Sequence, residues 1–142
     1  MIRKCRNMML HHERNCLTLE QNSFMECYVD DVVTTPGITI LSPNYPYNYP
    51  TFCDSQLTIN FDGRISLYFK SFDVEYLDNN CDLDWLEIRD GKSVDDDRIG
   101  AKLCGSNIPG LITSTGKYLK LIFHSDDSNN YKGFKIQAQL GK

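Results

Sequence analysis

The sequence predicts an all-β protein, an antiparallel β-sandwich stapled by disulfides, on three observations. From residue 37 onward the apolar residues fall in short alternating runs, clusters of Gly, Pro, Asn and Asp separate those runs, and no segment there needs a helix longer than a turn or two. A period of two sends successive side chains to opposite faces of a strand, so each alternating set marks one buried face.

In chain order, SPNYPYNYP at 42–50 and FDGR at 61–64 read as turns. Ile65, Leu67 and Phe69 then alternate with Arg64, Ser66, Tyr68 and Lys70. Leu86 and Ile88 form the next buried set, which puts Trp85 and Glu87 on the outward face of their strand, and RDGK at 89–92 ends it. Leu119, Leu121 and Phe123 alternate with Lys120, Ile122 and His124 before the polar run SDDSNNYKG at 125–133. Phe134, Ile136, Ala138 and Leu140 alternate with Lys135, Gln137 and Gln139. Residues 1–36 have little periodicity, although MMLHHERNCLTLEQ could form a short helix. There is no internal repeat. The expected organisation is an extension over residues 1–26, tied down by disulfide, and one domain over residues 27–142.

The 142 residues suit a single core, and 41% hydrophobic with 24% charged residues is ordinary for a globular chain. A formal net charge of -4 and the lack of any Lys/Arg cluster argue against nucleic acid and anionic lipid as partners. No stretch approaches the roughly 20 apolar residues of a membrane span. Six cysteines without a CxxC motif read as a disulfide set formed outside the cytosol, with connectivity left open by counting alone. MIRKCRNMMLHHER has no apolar core of the signal-peptide kind, so the expectation is a mature or excised piece of an extracellular protein.

Five segments read together, SPNYPYNYP (42–50), FDVE (72–75), CDLDWLEIRDG (81–91), LCG (103–105) and FHSDDSNNYKGF (123–134), resemble a CUB domain in order and spacing. The resemblance implies a jelly-roll-like β-sandwich from an extracellular protein, a binding module and not an enzyme. It also implies disulfides joining Cys27 to Cys53 and Cys81 to Cys104, which leaves Cys5 and Cys16 for each other or for a missing partner chain. The sequence departs from the family pattern in three places. Leu57 stands where the family has a strand tryptophan, four residues after Cys53 instead of two. Leu83 replaces an aromatic, and the opening C-G-G is Cys27, Tyr28, Val29.

Many domains of that family hold a calcium ion, and the resemblance implies Glu75, Asp84 and Asp126 as ligands, with Tyr49 steadying one carboxylate through its hydroxyl. The residues agree: calcium takes 6 to 8 oxygens, and three carboxylates from three distant segments supply much of that shell. Carbonyls near Asp127 and Ser128 and the Asn129 side chain could complete it. Without a cation the three carboxylates would repel and raise their pKa values. The acidic run Asp95, Asp96 and Asp97 lies beyond the motif and reads as a surface turn.

With calcium bound, one net negative charge remains to attract a Lys or Arg of a protein partner. The resemblance implies Glu75 and Asp126 as the contacts, with Trp85 and Tyr131 adding aromatic area at the rim. Strength would come from neighbouring modules or from oligomers through avidity. Two other roles stand beside this one: an exosite that targets substrates for a secreted protease, and glycan binding of the spermadhesin kind. HHER at 11–14 lacks the HExxH arrangement of a zinc site, and His124 with Ser125 and Asp126 lacks the separated geometry of a catalytic triad.

Overall fold

The computed structural model describes residues 27–77 and 80–141. Cys5, Cys16 and the expected extension over residues 1–26 lie outside the described residues. The strands are β1 (Tyr28–Val33), β2 (Ile38–Leu41), β3 (Asp54–Asn60), β4 (Ile65–Asp73), β5 (Trp85–Arg89), β6 (Ile112–Thr113), β7 (Tyr118–His124) and β8 (Gly133–Leu140). They form two four-stranded sheets, ordered β1-β3-β7-β5 and β2-β8-β4-β6, so the predicted sandwich is borne out. One pair departs from the antiparallel rule: β1 runs parallel to β3. Alternation tells which face of a strand is buried and carries no information on the direction of its neighbour, so this pairing was not legible.

The inward faces carry the residues that the alternation marked, together with Ile40, Leu57 and Ile59. Leu57, Ile59, Leu86, Ile88, Leu119, Leu121 and Phe123 from one sheet meet Ile40, Ile65, Leu67, Phe69, Phe134, Ile136 and Ala138 from the other, all buried. Leu57 thus fills the core at the place where the resemblance expects tryptophan. The exception at the end of the pattern is Leu140, which is exposed where the last strand leaves the core.

A β-bulge between Phe69 and Ser71 shifts the register of β4 against β8 by one residue. An extra residue changes which positions face inward, so burial passes from Phe69 to Phe72 and Val74 rather than to Ser71 and Asp73. The strand therefore delivers Glu75 to the end of the sandwich just past a well-anchored apolar pair.

Two outward-facing charged residues are not solvated. Glu87 points away from the core as predicted, yet it is only 5% exposed, because Arg89 and Arg98 fold over it at 3.1 and 3.0 Å. Burial alone would raise its pKa, but the bonds from Arg98 and Arg89 outweigh burial and hold it below the ordinary value. Lys120 is also buried, its ammonium donating to Thr58 Oγ1 at 2.9 Å across the sheet. Asp95, Asp96 and Asp97 form the expected turn, with Asp96 accepting from the Ser93 N–H at 2.9 Å.

Disulfides join Cys27 to Cys53 and Cys81 to Cys104, the pairings that the resemblance implied. The first links the residues just ahead of β1 and β3. Register places Asp54, His124 and Trp85 in one row of the first sheet, and Asp73 opposite Gly133 in the second. The loops before β3, after β4, before β5 and after β7 consequently gather at one end.

Candidate metal centre

Glu75, Asp84 and Asp126 reach this end from three directions. Glu75 follows the bulged strand β4, Asp84 immediately precedes β5, and Asp126 lies two residues beyond β7. One carboxylate oxygen from each lies within 4.8 Å of the others. Two oxygens on opposite sides of a single ion with ligand distances of about 2.3–2.6 Å stand roughly 4.6–5.2 Å apart, so the spacing suits one cation of calcium's size. Glu75 Oε1 is buried and has no hydrogen-bond partner, as expected of an oxygen directed at an ion.

Hydrogen bonds hold the three acidic residues in place. The Tyr49 hydroxyl donates to Asp84 Oδ2 at 2.6 Å and accepts from the Glu75 N–H at 3.0 Å. Tyr49 is itself fully buried, edge-on to Phe123 with ring centroids 5.0 Å apart, so the aromatic core positions two of the three acids. The Asp126 N–H donates to Asp84 Oδ1 at 2.7 Å, which ties the third acid to the second. The nearby Asn129 side chain lowers the pKa of the Glu75 carboxyl, against the effect of burial. The positive φ of Asn129, 62°, is one that asparagine tolerates better than most residues. The Ser128 N–H donates to Asp126 Oδ1 at 3.3 Å.

Gly133 closes this loop with a φ of 89°, and a Cβ there would collide with Ser42 Oγ. Glycine is required by both counts.

Burial first, then repulsion from Asp84 and Asp126, raises the Glu75 carboxyl from 4.5 to about 7. Burial is also the largest cause holding Asp84 above its ordinary value, against the bonds from Tyr49 and Asp126. For Tyr49, burial and the bond to Asp84 push the phenol up, keeping it a neutral donor. The sign of the Glu75 shift sets a pH dependence. Between about 4.5 and about 7 the folded state without a cation binds more protons than the unfolded state, so stability falls as pH rises through that window. The loss persists above pH 7. Glu87 acts in a separate window: its contribution is present above 4.5 and lost as pH falls through its lowered folded value. Denaturant titrations in chelator are therefore expected to show a smaller stability at pH 7.5 than at pH 5.5. Glu75→Gln should reduce that slope, leaving the part that the raised Asp84 contributes.

Trp85 follows Asp84 in sequence and lies on the outer face of its sheet, stacked on His124 at 5.2 Å, with Lys102 4.3 Å from the ring centroid. His124 in turn meets Asp54 at 2.8 Å. Tyr131 is exposed on the Asp126 loop, and its carbonyl accepts from the Tyr49 N–H at 3.0 Å. Two structural roles went unnoticed in the sequence. Ser125 is fully buried and knots the loops together, accepting from the Cys53 N–H at 2.9 Å and donating to the Pro50 carbonyl at 2.7 Å. Phe52 is exposed beside Asp126, whose carbonyl accepts its N–H at 2.9 Å. The position of Ser125 between a strand end and an acid was the available signal for the first, and no pattern announced the second.

The described residues contain no helix long and apolar enough to cross a membrane. Human cubilin is 37% identical over 119 residues, aligning with 81% of this chain and 3% of cubilin. The zinc metalloproteinase nas-39 of Caenorhabditis elegans is 35% identical over 104 residues, 66% of this chain and 11% of that protein. The chain thus spans a small part of these relatives. Among solved structures, the MASP-1 CUB2 domain bound to Ca2+ superposes with a TM-score of 0.67 at 26% identity, covering 77% of this chain and 96% of that one. A family model for the CUB domain matches residues 27–137. That match spans nearly everything from the first half-cystine of the sandwich to its last strand, and the chain belongs to the CUB domain family.

Proposed function

We propose that this domain is a non-catalytic recognition module that binds calcium and then a basic side chain of an extracellular protein partner. Glu75, Asp84 and Asp126 hold the ion, with Ser128 and Asn129 completing the shell and Tyr49 supporting Asp84 from behind. The observation that carries this reading is the buried, unpartnered Glu75 oxygen within a three-carboxylate cluster. A calcium-bound structural neighbour supports it.

Bound calcium supplies two positive charges against three negative ones, relieving repulsion that otherwise splays the loops. Glu75, buried, and Asp126, half-buried, carry the remaining negative charge at this end of the sandwich. A lysine ammonium suits them because it is a compact charge with three donors. Such a contact is individually weak and salt-sensitive. Two disulfides in one domain place it outside the reducing cytosol. The similarity to a zinc metalloproteinase favours a second setting for the same surface, an exosite that positions substrates beside a catalytic domain.

The test is thermal unfolding in EGTA against a calcium titration to a few millimolar, the range of extracellular sites. A saturable rise in Tm, larger at pH 7.5 than at pH 5.5 because the ion competes with the Glu75 proton, is expected. An unchanged Tm with no calcium in the purified protein would overturn the metal reading.

A further inference from the structure

An acidic cluster attracts cations without choosing among the segments that carry them, and selection needs a second contact. Phe52 has the features of one. Its φ of 53° is left-handed, a conformation that glycine or asparagine adopts readily and that a residue with a bulky side chain resists. Its side chain is nevertheless apolar and 71% exposed. One position thus combines two unfavourable features, in a backbone held by two hydrogen bonds. The Phe52 N–H donates to the Asp126 carbonyl at 2.9 Å, and the next residue, Cys53, donates to Ser125 Oγ at 2.9 Å. Strained backbone of this kind concentrates at functional sites.

The adjoining loops extend the same surface. Asn48 Nδ2 donates to the Asn130 carbonyl at 3.0 Å and the Tyr49 N–H to that of Tyr131, so the 42–53 and 125–132 loops are stitched side by side. Tyr47 and Tyr131 are exposed on these two loops. Exposed aromatic side chains are thus carried by two loops bonded to each other, one of which holds Asp126.

We infer that Phe52 is the apolar anchor of a composite docking site, and that the partner segment it takes carries an apolar side chain beside its lysine. This rests on the proposed lysine contact, whose charge complementarity fixes where the segment lies. The anchor then supplies the choice among lysines that Glu75 and Asp126 cannot make.

Two blocked peptides, Gly-Leu-Lys-Leu-Gly and Gly-Ser-Lys-Ser-Gly, test the inference by NMR shift titration of the full chain in saturating calcium. The leucine peptide is expected to bind about tenfold more tightly, the effect of burying one modest apolar contact. Phe52→Asn should erase that difference, leave the serine peptide's affinity unchanged and raise Tm by relieving the backbone. Equal binding of the two peptides to the unmodified protein, or a preference that survives Phe52→Asn, would overturn the anchor while leaving the lysine contact intact. Failure of both peptides to bind would overturn the lysine contact and the anchor with it.

Discussion

Leu121→Asp is expected to leave no cooperatively folded domain. Leu121 is fully buried at the centre of β7, paired with Leu57 on β3 and Ile88 on β5. The backbone of that strand is bonded on both sides, so the new carboxylate cannot turn outward without breaking two ladders. Burying it unpaired costs several kcal/mol against a total stability of about 5–15 kcal/mol. The measurement is near-UV circular dichroism with a thermal scan, in oxidising buffer so that the disulfides are intact. A sharp native-like transition would refute the assignment of the inward face.

Asp84→Ala should do two things at once. The calcium-induced rise in Tm should vanish, and the protein in chelator should lose about 2–5 kcal/mol, because the buried Tyr49 hydroxyl and the part-buried Asp126 N–H both donate to this carboxylate. Removing one charge also relieves repulsion on Glu75. That relief is the smaller effect, since burial is the larger cause of the Glu75 shift. Asp84→Asn separates the roles by keeping volume and one acceptor. It should recover part of the stability in chelator and none of the calcium response. A full calcium shift in either variant would remove Asp84 from the ligand set, and a lost shift with unchanged stability in chelator would show that the two hydrogen bonds contribute little.

The inward faces were legible because alternation is a direct consequence of the pleat: Leu119, Leu121 and Phe123 could be assigned without knowing any partner strand. The three acids were legible only through motif resemblance, since nothing local distinguishes Asp84 from Asp82 or Asp90. Three things escaped for identifiable reasons. The bulge at Lys70 replaces a period of two by a step of three, so FKSFDVE reads as a fading pattern when it is a continued one. Glu87 has the outward phase of a solvated residue, and its burial depends on Arg98, eleven residues away in a different loop. Phe52 needs a backbone angle that its residue type argues against. In each case the missing information lay in a contact between segments, which a single-strand pattern does not encode.

The parallel pairing of β1 with β3 has a consequence for how the chain matures. Among the described residues β1 meets no other strand, and no hairpin delivers it to its place. The bridge between Cys27 and Cys53 is the covalent tether that keeps it there. Without that tether β1 can detach, and seven residues of β3, Asp54–Asn60, then offer a row of unpaired amides and carbonyls beside Leu57 and Ile59. Such an edge is a template for pairing with a second chain. Oxidation of this cysteine pair is therefore expected to protect the domain from aggregation as well as to stabilise it, with light scattering of the reduced chain as the check.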